Sequence, residues 1–291
     1  MRLSYHAVTV SARSGLLVHI DERTGSHFFL VHYHYLLPRS LSMITAETLA
    51  RYSNELLSVG NFSDYCPNGL QVAGERPVRL LVSGVSASQA LVQAAIDADA
   101  DALLVHHGWF WKGEEPCLVG IKGRRVRMLM QAGIALLAYH LPLDAHPQLG
   151  NNRQLAEVLG INDPRPANPD GLLWLGRLAI PCSGIELARS VGEHLNRAPL
   201  HIAAIDRPVQ HLAWCTGAAQ RYIGEAHALG ADLFISGEVS EQTTHEAREL
   251  GIDYLGAGHH ATERYGVQAL GAHLADQFEI QHRFIDRDNP V

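Results

Sequence analysis

Three short segments of the sequence place histidine and carboxylate side chains where apolar stretches end. In "LLVHHG", His106 and His107 follow a run of residues typical of a buried strand. The segment "YHLPLDAH" carries Asp144, and "GHHATE" carries His259 and Glu263. Imidazole nitrogens and carboxylate oxygens are common ligands of divalent metal ions, so these three segments are candidates for a metal site.

Each segment taken alone also has an ordinary explanation. Adjacent strand residues point to opposite faces, so His106 and His107 suit two neighbouring ions, but a plain loop would accommodate them equally. If a helix begins at His259, this residue and Glu263 share one face, although helix dipoles also favour glutamate in a first turn. Asp144 would suit a simple turn after proline. Taken together, the three imidazoles and two carboxylates fit a pair of divalent ions, with Glu263 able to bridge.

The pattern that surrounds these segments predicts an α/β protein built from two related halves. Apolar strands alternate with helices of 10–15 residues, which is typical of largely parallel sheet with helices on its faces. The stretch "LAWCTGAAQRYIGEAHALGADLFISGEVS" repeats the plan of "LLVSGVSASQALVQAAIDADADALLVHHG". Aligning Asp101 with Asp232 places the His106–His107 pair opposite Gly237 and Glu238. Since ligands bind at the carboxyl ends of parallel strands, we expect two three-layer α/β halves that face each other across a cleft.

The same pattern divides the chain into four parts. Thr45 is expected to cap a helix that follows Met43, and Asn151 or Asn152 to cap the helix "NNRQLAEVLGI". The expected parts are a poorly structured N-terminal extension at 1–42, with Met43 as an alternative start, a first α/β half at 43–165, a small α+β insertion at 166–208, and a second α/β half at 209–291 that completes the metal site.

Composition narrows the class of protein. The 291 residues are 47% hydrophobic and 18% charged, and no apolar run reaches the ~18 residues that a membrane span needs. The net charge of −7 gives no overall attraction to nucleic acid, and "KGRRVR" (122–127) is a short basic segment that also suits a solvated helix. The four cysteines form no C-x-x-C pair, which favours a reducing, cytoplasmic location over a disulfide framework.

Five other residues near the candidate ligands each allow two interpretations, one functional and one structural. Glu238, Glu241 and His245, in "SGEVSEQTTHEA", could transfer protons or orient metal-bound imidazoles, but they also suit an ordinary helix start. Trp109 and Trp111 could form a wall for a substrate ring, or could simply pack and exclude water.

The sequence resembles the YbgI-like dinuclear-metal proteins, also called GTP cyclohydrolase 1 type 2 homologues. Five segments, spread over residues 43 to 291, carry the resemblance: "SDYCPNGLQVAG", "HHGWFW", "YHLPLDAHPQLGNN", "SGEVSEQTTHEAR" and "AGHHATERYG". The resemblance implies a cytoplasmic, toroidal homohexamer with a dinuclear centre in each subunit. Its motifs place the ligands at the same positions as the spacing argument: His106, His107, Asp144, His259 and Glu263.

The resulting hypothesis is a hydrolase that depends on two divalent metal ions per subunit. The sequence does not distinguish Zn, Fe, Mn, Ni and Co. The resemblance implies hydrolytic opening of the guanine ring of GTP with formate release, or action on a related nucleotide or heterocycle. The alternative is a non-enzymatic metal-binding ring that binds a protein or nucleic-acid partner, in DNA damage or metal homeostasis.

Overall fold

In a computed structural model of the protein, the residues from Met43 onward form two β-sheets with flanking helices. The structure describes residues 43–291 and, before them, the two-residue strands β1 (His19–Ile20) and β2 (His27–Phe28), which pair antiparallel. The expectation of a poorly structured extension at 1–42 otherwise lies outside the described residues.

The remaining elements follow in chain order. The strands are β3 (Gly69–Val72), β4 (Leu80–Ser86), β5 (Ala102–His107), β6 (Ala135–Ala138), β7 (Asn162–Pro166), β8 (Trp174–Cys182), β9 (Leu200–Ile202), β10 (Val209–Cys215), β11 (Leu233–Ser236), β12 (Asp253–Gly256) and β13 (Gln281–Phe284). The α-helices are α1 (Ala46–Leu56), α2 (Gln89–Asp97), α3 (Gly120–Gln131), α4 (Leu141–Ala145), α5 (Asn151–Val158), α6 (Gly184–Leu195), α7 (Ile223–Ala228), α8 (Glu241–Leu250), α9 (His259–Thr262) and α10 (Arg264–Phe278). Two short 3₁₀ turns span Val59–Asn61 and Gln220–Tyr222.

Both sheets contain three adjacent parallel strands, consecutive in the chain, with an antiparallel strand beside the third, and in the first sheet β13 adds a fourth parallel strand beside β4. The first sheet has the order β13-β4-β5-β6-β3, and the second has the order β7-β8-β10-β11-β12-β9. In the first sheet β4, β5 and β6 are parallel and β3 is antiparallel to β6. In the second, β10, β11 and β12 are parallel and β9 is antiparallel to β12. The mixed α/β fold and its two related halves therefore agree with the sequence pattern.

Two buried aspartates occupy equivalent positions in the halves. Asp101 accepts hydrogen bonds from the backbone N–H groups of Arg79 and Leu80, where β4 begins. Asp232 accepts the corresponding bonds from Gln210 and His211 in β10. The repeated Ala-Asp of the sequence thus satisfies backbone donors that would otherwise be buried without partners.

The chain divides between the sheets differently from the expectation at three places. Strand β7, almost all of it within the expected first half at 43–165, pairs with β8 in the second sheet. Strands β8 and β9, from the expected insertion at 166–208, lie in the second sheet, antiparallel to β10 and β12. The C-terminal part of the expected second half returns to the first sheet, where β13 pairs with β4 and α10 packs against β4 and β5. The apolar face of α10 explains this return, because Val267, Leu270 and Leu274 are fully buried in the first sheet's core.

Of the two expected helix caps, one is confirmed and one is wrong. The Thr45 side chain accepts a hydrogen bond from the N–H of Thr48 at the start of α1. Gly150, rather than an asparagine, occupies the N-cap of α5. Asn151 and Asn152 are instead fully buried inside the helix, where their amides bind groups around the candidate metal site.

No helix among residues 43–291 is long and apolar enough to cross a membrane. The "KGRRVR" segment lies within α3, and the side chains of Arg124 and Arg127 are exposed there. This matches the reading of the segment as part of a solvated helix.

Candidate metal centre

The five candidate ligands lie together, at the carboxyl ends of three parallel strands. His106 and His107 are the last residues of β5, and Asp144 lies on α4, which follows β6. His259 begins α9 after β12 of the second sheet, and Glu263 follows α9. The centre therefore joins the ends of both sheets, as the repeat predicts.

The ligand atoms form two groups of three that share one carboxylate. We call them donor triad 1 (His106, Asp144, Glu263) and donor triad 2 (His107, His259, Glu263). In triad 1, His106 Nε2 lies 3.4 Å from Asp144 Oδ1 and 3.5 Å from Glu263 Oε1. In triad 2, Glu263 Oε2 lies 3.2 Å from His107 Nε2 and 3.0 Å from His259 Nε2. Each oxygen of Glu263 thus faces a different triad.

Hydrogen bonds fix which nitrogen two of the three imidazoles offer. His106 Nδ1 donates to the Tyr139 carbonyl at 2.8 Å, and His259 Nδ1 donates to Glu238 Oε1 at 2.7 Å. His107 Nδ1 lies 3.1 Å from the Ser86 hydroxyl. Nε2 is therefore the atom that His106 and His259 present to the carboxylates and would offer to a metal ion, an arrangement typical of metal-bound histidine.

Two buried atoms of the centre have no hydrogen-bond partner among the described residues, namely His106 Nε2 and Glu263 Oε2. Buried polar atoms are nearly always satisfied, and leaving one unpaired costs roughly 1–3 kcal/mol. Atoms bound about 2.0–2.2 Å from one tetrahedral ion lie roughly 3.3–3.6 Å apart, close to the separations in triad 1. The donor set and its unpaired atoms fit divalent cations, and the spacing of triad 1 fits one tetrahedral ion.

The pKa values of the candidate ligands reflect the charges that face one another inside the centre. Burial would lower the pKa of His106, but the carboxylates of Asp144 and Glu263 outweigh it and raise that pKa to about 9. Burial lowers the pKa of His107 to about 4, so this imidazole is neutral and available as a ligand. Burial opposes ionisation of Glu263, yet the facing imidazoles hold its pKa well below the ordinary value. The carboxylates therefore attract positive charge that a metal ion would supply.

Asp144 is held in place by the two asparagines that were expected to cap α5. Asn151 Nδ2 donates to Asp144 Oδ1 at 2.9 Å, and Asn152 Nδ2 donates to the Asp144 carbonyl at 3.2 Å. The Thr216 hydroxyl donates to the same Oδ1 at 3.3 Å. These contacts fix the carboxylate of triad 1, and neither asparagine was singled out for this role because both equally suit a helix cap.

Gly217 allows the backbone to approach the bridging carboxylate. Its φ of +67° lies in the left-handed region, and a Cβ at this position would stand 2.1 Å from Glu263 Oε1. Its carbonyl accepts hydrogen bonds from Ser236 Oγ and from the Gly237 N–H. Only glycine fits this close approach.

Of the three residues expected to assist catalysis, the structure brings one to the centre. Glu238 contacts His259, as described above. Glu241 and His245 lie on α8 with side chains 86% and 64% exposed, and they pair with each other at 3.0 Å. They are four residues apart on the exposed face of α8, so each satisfies the other rather than a metal ligand.

The two tryptophans take different positions. Trp109 is buried in a core cluster of the first sheet, and its Nε1 donates to the Ala87 carbonyl at 2.9 Å. The Trp111 ring is half-buried and its centroid lies 6.0 Å from that of His107. Trp109 is thus a packing residue, and Trp111 remains the candidate for a substrate wall.

The spacing argument missed Asp64, which lies beside the centre with His140. Asp64 Oδ1 accepts from His140 Nδ1 at 2.9 Å, and with Cys66 these residues form one of two further groups of potential ligands, the other being His140 with His106 and His107. Both Asp64 oxygens already accept hydrogen bonds, and burial raises the pKa of the Cys66 thiol to about 12. This group is therefore a hydrogen-bonded support rather than a third metal site. Its sequence signal was the "SDYC" segment, where a lone aspartate resembles any loop residue.

Comparison with known proteins decides the family. Residues 44–290 match the profile of the family described as Duf34/NIF3 (NGG1p interacting factor 3). The chain belongs to the DUF34/NIF3 family. It is 57% identical over 250 residues to the GTP cyclohydrolase 1 type 2 homolog of Allochromatium vinosum, covering 86% of this chain and 98% of that protein. It is 55% identical over 251 residues to the protein of the same name from Pseudomonas aeruginosa, covering 85% and 99%.

Solved structures of DUF34/NIF3 relatives share the fold. The protein ybgI, described as of unknown function, superposes with a TM-score of 0.82 at 46% identity, covering 85% of this chain and 100% of that one. A Thermus thermophilus protein gives a TM-score of 0.77 at 35% identity, with coverage of 85% and 100%. The resemblance to YbgI-like proteins is thereby confirmed.

Proposed function

We propose that this DUF34/NIF3 protein is a hydrolase that depends on two divalent metal ions and acts on a nucleotide or related heterocycle. The observation that carries the proposal is the pair of donor triads joined by the two oxygens of Glu263. The names of the relatives support GTP as the first substrate to test, with hydrolytic opening of the guanine ring and release of formate.

Two adjacent divalent ions would activate water, orient a substrate and stabilise a developing oxyanion. Donor triads 1 and 2 would hold them, and Glu263 would keep them adjacent. Tyr139 and Glu238 orient the imidazoles of His106 and His259 through their Nδ1 atoms. The Glu238 carboxylate is one-third exposed, so we assign it as the candidate proton acceptor.

The first experiment measures metal content and then activity. Metal analysis of the purified protein is expected to give two equivalents per chain. Asp144→Asn removes a ligand of triad 1 alone and is expected to leave about one equivalent. Glu263→Gln weakens both triads and is expected to leave almost none. Formate release from GTP, measured across a series of added divalent metals, should follow the metal content of the three proteins.

His245→Ala is the matched control, because this exposed histidine belongs to neither triad. Full metal content in both Asp144→Asn and Glu263→Gln would contradict the proposed centre. Two equivalents of metal without turnover of GTP or any other nucleotide would contradict the hydrolase and favour the non-enzymatic alternative. Salt-dependent binding of single-stranded DNA would then identify a nucleic-acid partner.

We also propose the homohexamer implied by the sequence resemblance. Exposed apolar side chains on and before α3, at Leu118, Val119 and Ile121, support contact with another copy. Light scattering coupled to size-exclusion chromatography tests this, since a monomer or dimer would contradict it.

A further inference from the structure

Three ring side chains outside the donor triads lie together beside the metal centre. The His140 ring centroid is 5.5 Å from that of Tyr65 and 5.1 Å from that of Trp111, at interplanar angles of 59° and 84°. Its centroid also lies 5.1 Å from His106 and 5.8 Å from His107. We call Tyr65, Trp111 and His140 the ring wall.

The ring wall is held by a network that leaves one atom of His140 free. Asp64 accepts from His140 Nδ1 at 2.9 Å, and its carboxylate also accepts from the N–H of Tyr65 and of Leu141. The His140 N–H donates to Asn68 Oδ1 at 2.7 Å. With Nδ1 committed to Asp64 as a donor, Nε2 is the ring nitrogen that His140 can present to a ligand. This atom makes no hydrogen bond within residues 43–291.

Hydrogen bonds fix the segments that carry the two aromatic residues. The Lys112 N–H donates to the Tyr65 carbonyl at 2.6 Å, and Trp111 Nε1 donates to the Gly108 carbonyl at 3.2 Å. Phe110, between the two tryptophans, has a φ of +67°, a left-handed conformation that is unfavourable for a bulky residue. Such strain persists where surrounding contacts fix it, and it recurs at ligand sites. Tyr65 is nevertheless 49% exposed, so the wall is accessible from solvent.

From this geometry we infer that the ring wall binds a planar purine base that carries a ring N–H, with that N–H donating to His140 Nε2. Tyr65 and Trp111 supply aromatic faces for stacking, and Asp64 is the positioning residue that fixes the acceptor atom. A nitrogen of His140 lies within 4.8 Å of nitrogens of His106 and His107, so a base held here lies next to the metal centre. The inference rests on the proposed function and names the part of the substrate that this site recognises.

Binding of nucleosides to the metal-free protein tests the inference without turnover. Guanosine has the ring N–H and 1-methylguanosine lacks it, so guanosine is expected to bind more tightly. Trp111→Leu and Tyr65→Leu should each weaken guanosine about 5- to 100-fold, as expected for loss of one base–aromatic stack. His140→Phe keeps a ring but removes the acceptor, so it should abolish the preference for guanosine over 1-methylguanosine. Isothermal titration calorimetry measures each dissociation constant.

Fluorescence provides a second readout, because Trp111 alone among the four tryptophans is more than 3% exposed. Guanosine should quench emission in the parent protein, and Trp111→Phe should retain binding but lose most of the quenching. The control His245→Phe changes an exposed histidine on α8 and should bind guanosine as the parent does. Thermal melting of every variant confirms that it is folded.

Unchanged guanosine affinity in both Trp111→Leu and His140→Phe would overturn the inference, as would the absence of binding to the parent at millimolar guanosine. Failure of the proposed function gives a different result. Guanosine would then bind through the ring wall while metal-loaded protein released no formate from GTP or any other nucleotide.

Discussion

At the scale of single residues, the candidate centre is defined by atoms that the protein leaves unpaired. Glu263 faces three imidazoles, and its two oxygens divide between the donor triads. Asp64, by contrast, has both oxygens occupied by hydrogen-bond donors. Residue types alone do not separate these two carboxylates, because both lie beside histidines. The two carboxylates differ because nearby hydrogen-bond donors satisfy the oxygens of Asp64, whereas Glu263 keeps an oxygen that can bind a cation.

Glu238 provides a test at this scale. Glu238→Gln weakens the contact that orients His259, and loss of such an outer contact typically costs roughly 10–100-fold in metal affinity. We expect the metal affinity of triad 2 to fall by that amount, measured by competition with a chelating indicator. Glu241→Gln, three residues along and 86% exposed, is the matched control and should leave the affinity unchanged. Equal affinities in the two variants would remove Glu238 from the centre.

At the scale of elements, strand ends and the loops after them set the positions of the ligands. The carboxyl ends of β5 and β6 lie side by side because these strands are parallel neighbours. Within the second sheet, the loop after β10 lies against the segment after β12, because Gly217 leaves room for Glu263. Parallel pairing thus brings His106 and Asp144 together in the first sheet, and a single glycine leaves room for the bridging carboxylate at the strand ends of the second.

Gly217→Ala tests this approach. The added methyl would stand 2.1 Å from Glu263 Oε1, so the carboxylate must move, and φ of +67° adds backbone strain. We expect loss of most bound metal, measured by elemental analysis, together with a lower melting temperature. Gly224→Ala is the control, because its Cβ would meet no atom within 4 Å and it lies inside α7. Normal metal content in Gly217→Ala would show that Glu263 does not need its observed position.

Asp232, which binds the backbone at the start of β10, gives a prediction about how the stability of the fold depends on pH. Burial would raise the pKa of Asp232, but hydrogen bonds from the His211 N–H and from Arg207 outweigh it and lower that pKa. A lowered pKa stabilises the fold above the unfolded value of about 3.9, and this stability is lost as pH falls through the folded pKa. Asp232→Asn should lower the free energy of unfolding at pH 7 by roughly 1–3 kcal/mol.

The difference in the free energy of unfolding between Asp232→Asn and the parent protein should shrink as pH falls below about 4. Urea unfolding at several pH values measures it. The control is Asp163→Asn, since Asp163 is 61% exposed in a surface pair with Arg177. A difference that stayed constant down to pH 3 would show that ionisation of Asp232 contributes nothing.

At the scale of the whole molecule, the candidate metal centre lies between the ends of the two sheets. His106, His107 and Asp144 follow strands of the first sheet, whereas His259 and Glu263 follow β12 of the second. Ions bound to both triads would therefore connect both halves, and any ligand that binds the native state preferentially stabilises it.

Removal of metal tests this linkage. An ion at 100 times its dissociation constant adds about 2.7 kcal/mol, and each kcal/mol raises the melting temperature of a domain of this size by roughly 2–4 °C. Chelation should therefore lower the melting temperature by about 5–10 °C for each ion removed, measured by calorimetry, and re-addition of metal should restore it. Glu263→Gln should melt at the same temperature with and without chelator. An unchanged melting temperature of the parent protein after chelation would contradict this linkage between metal binding and stability.

Much of the fold follows from local pattern. Alternation of apolar strands with helices predicts parallel sheet, and the repeated Ala-Asp predicts the relation between the halves. The paths of 166–208 and 264–284 were not predictable, because which sheet an edge strand joins depends on the apolar surfaces left uncovered. Strand β13 pairs with β4, and helix α10 covers the core of the first sheet, so their positions depend on surfaces that distant residues form.

For the site, the sequence by itself determined the five candidate ligands, since histidine and carboxylate at three strand ends require only the rule that parallel strands end at one edge. Tertiary structure alone decided how they group, that Asn151 and Asn152 hold Asp144 and Thr216 instead of capping a helix, and that Glu241 faces solvent. The reason is physical. Residue type and spacing fix what a side chain can bind, whereas hydrogen-bond partners from distant segments fix what it does bind.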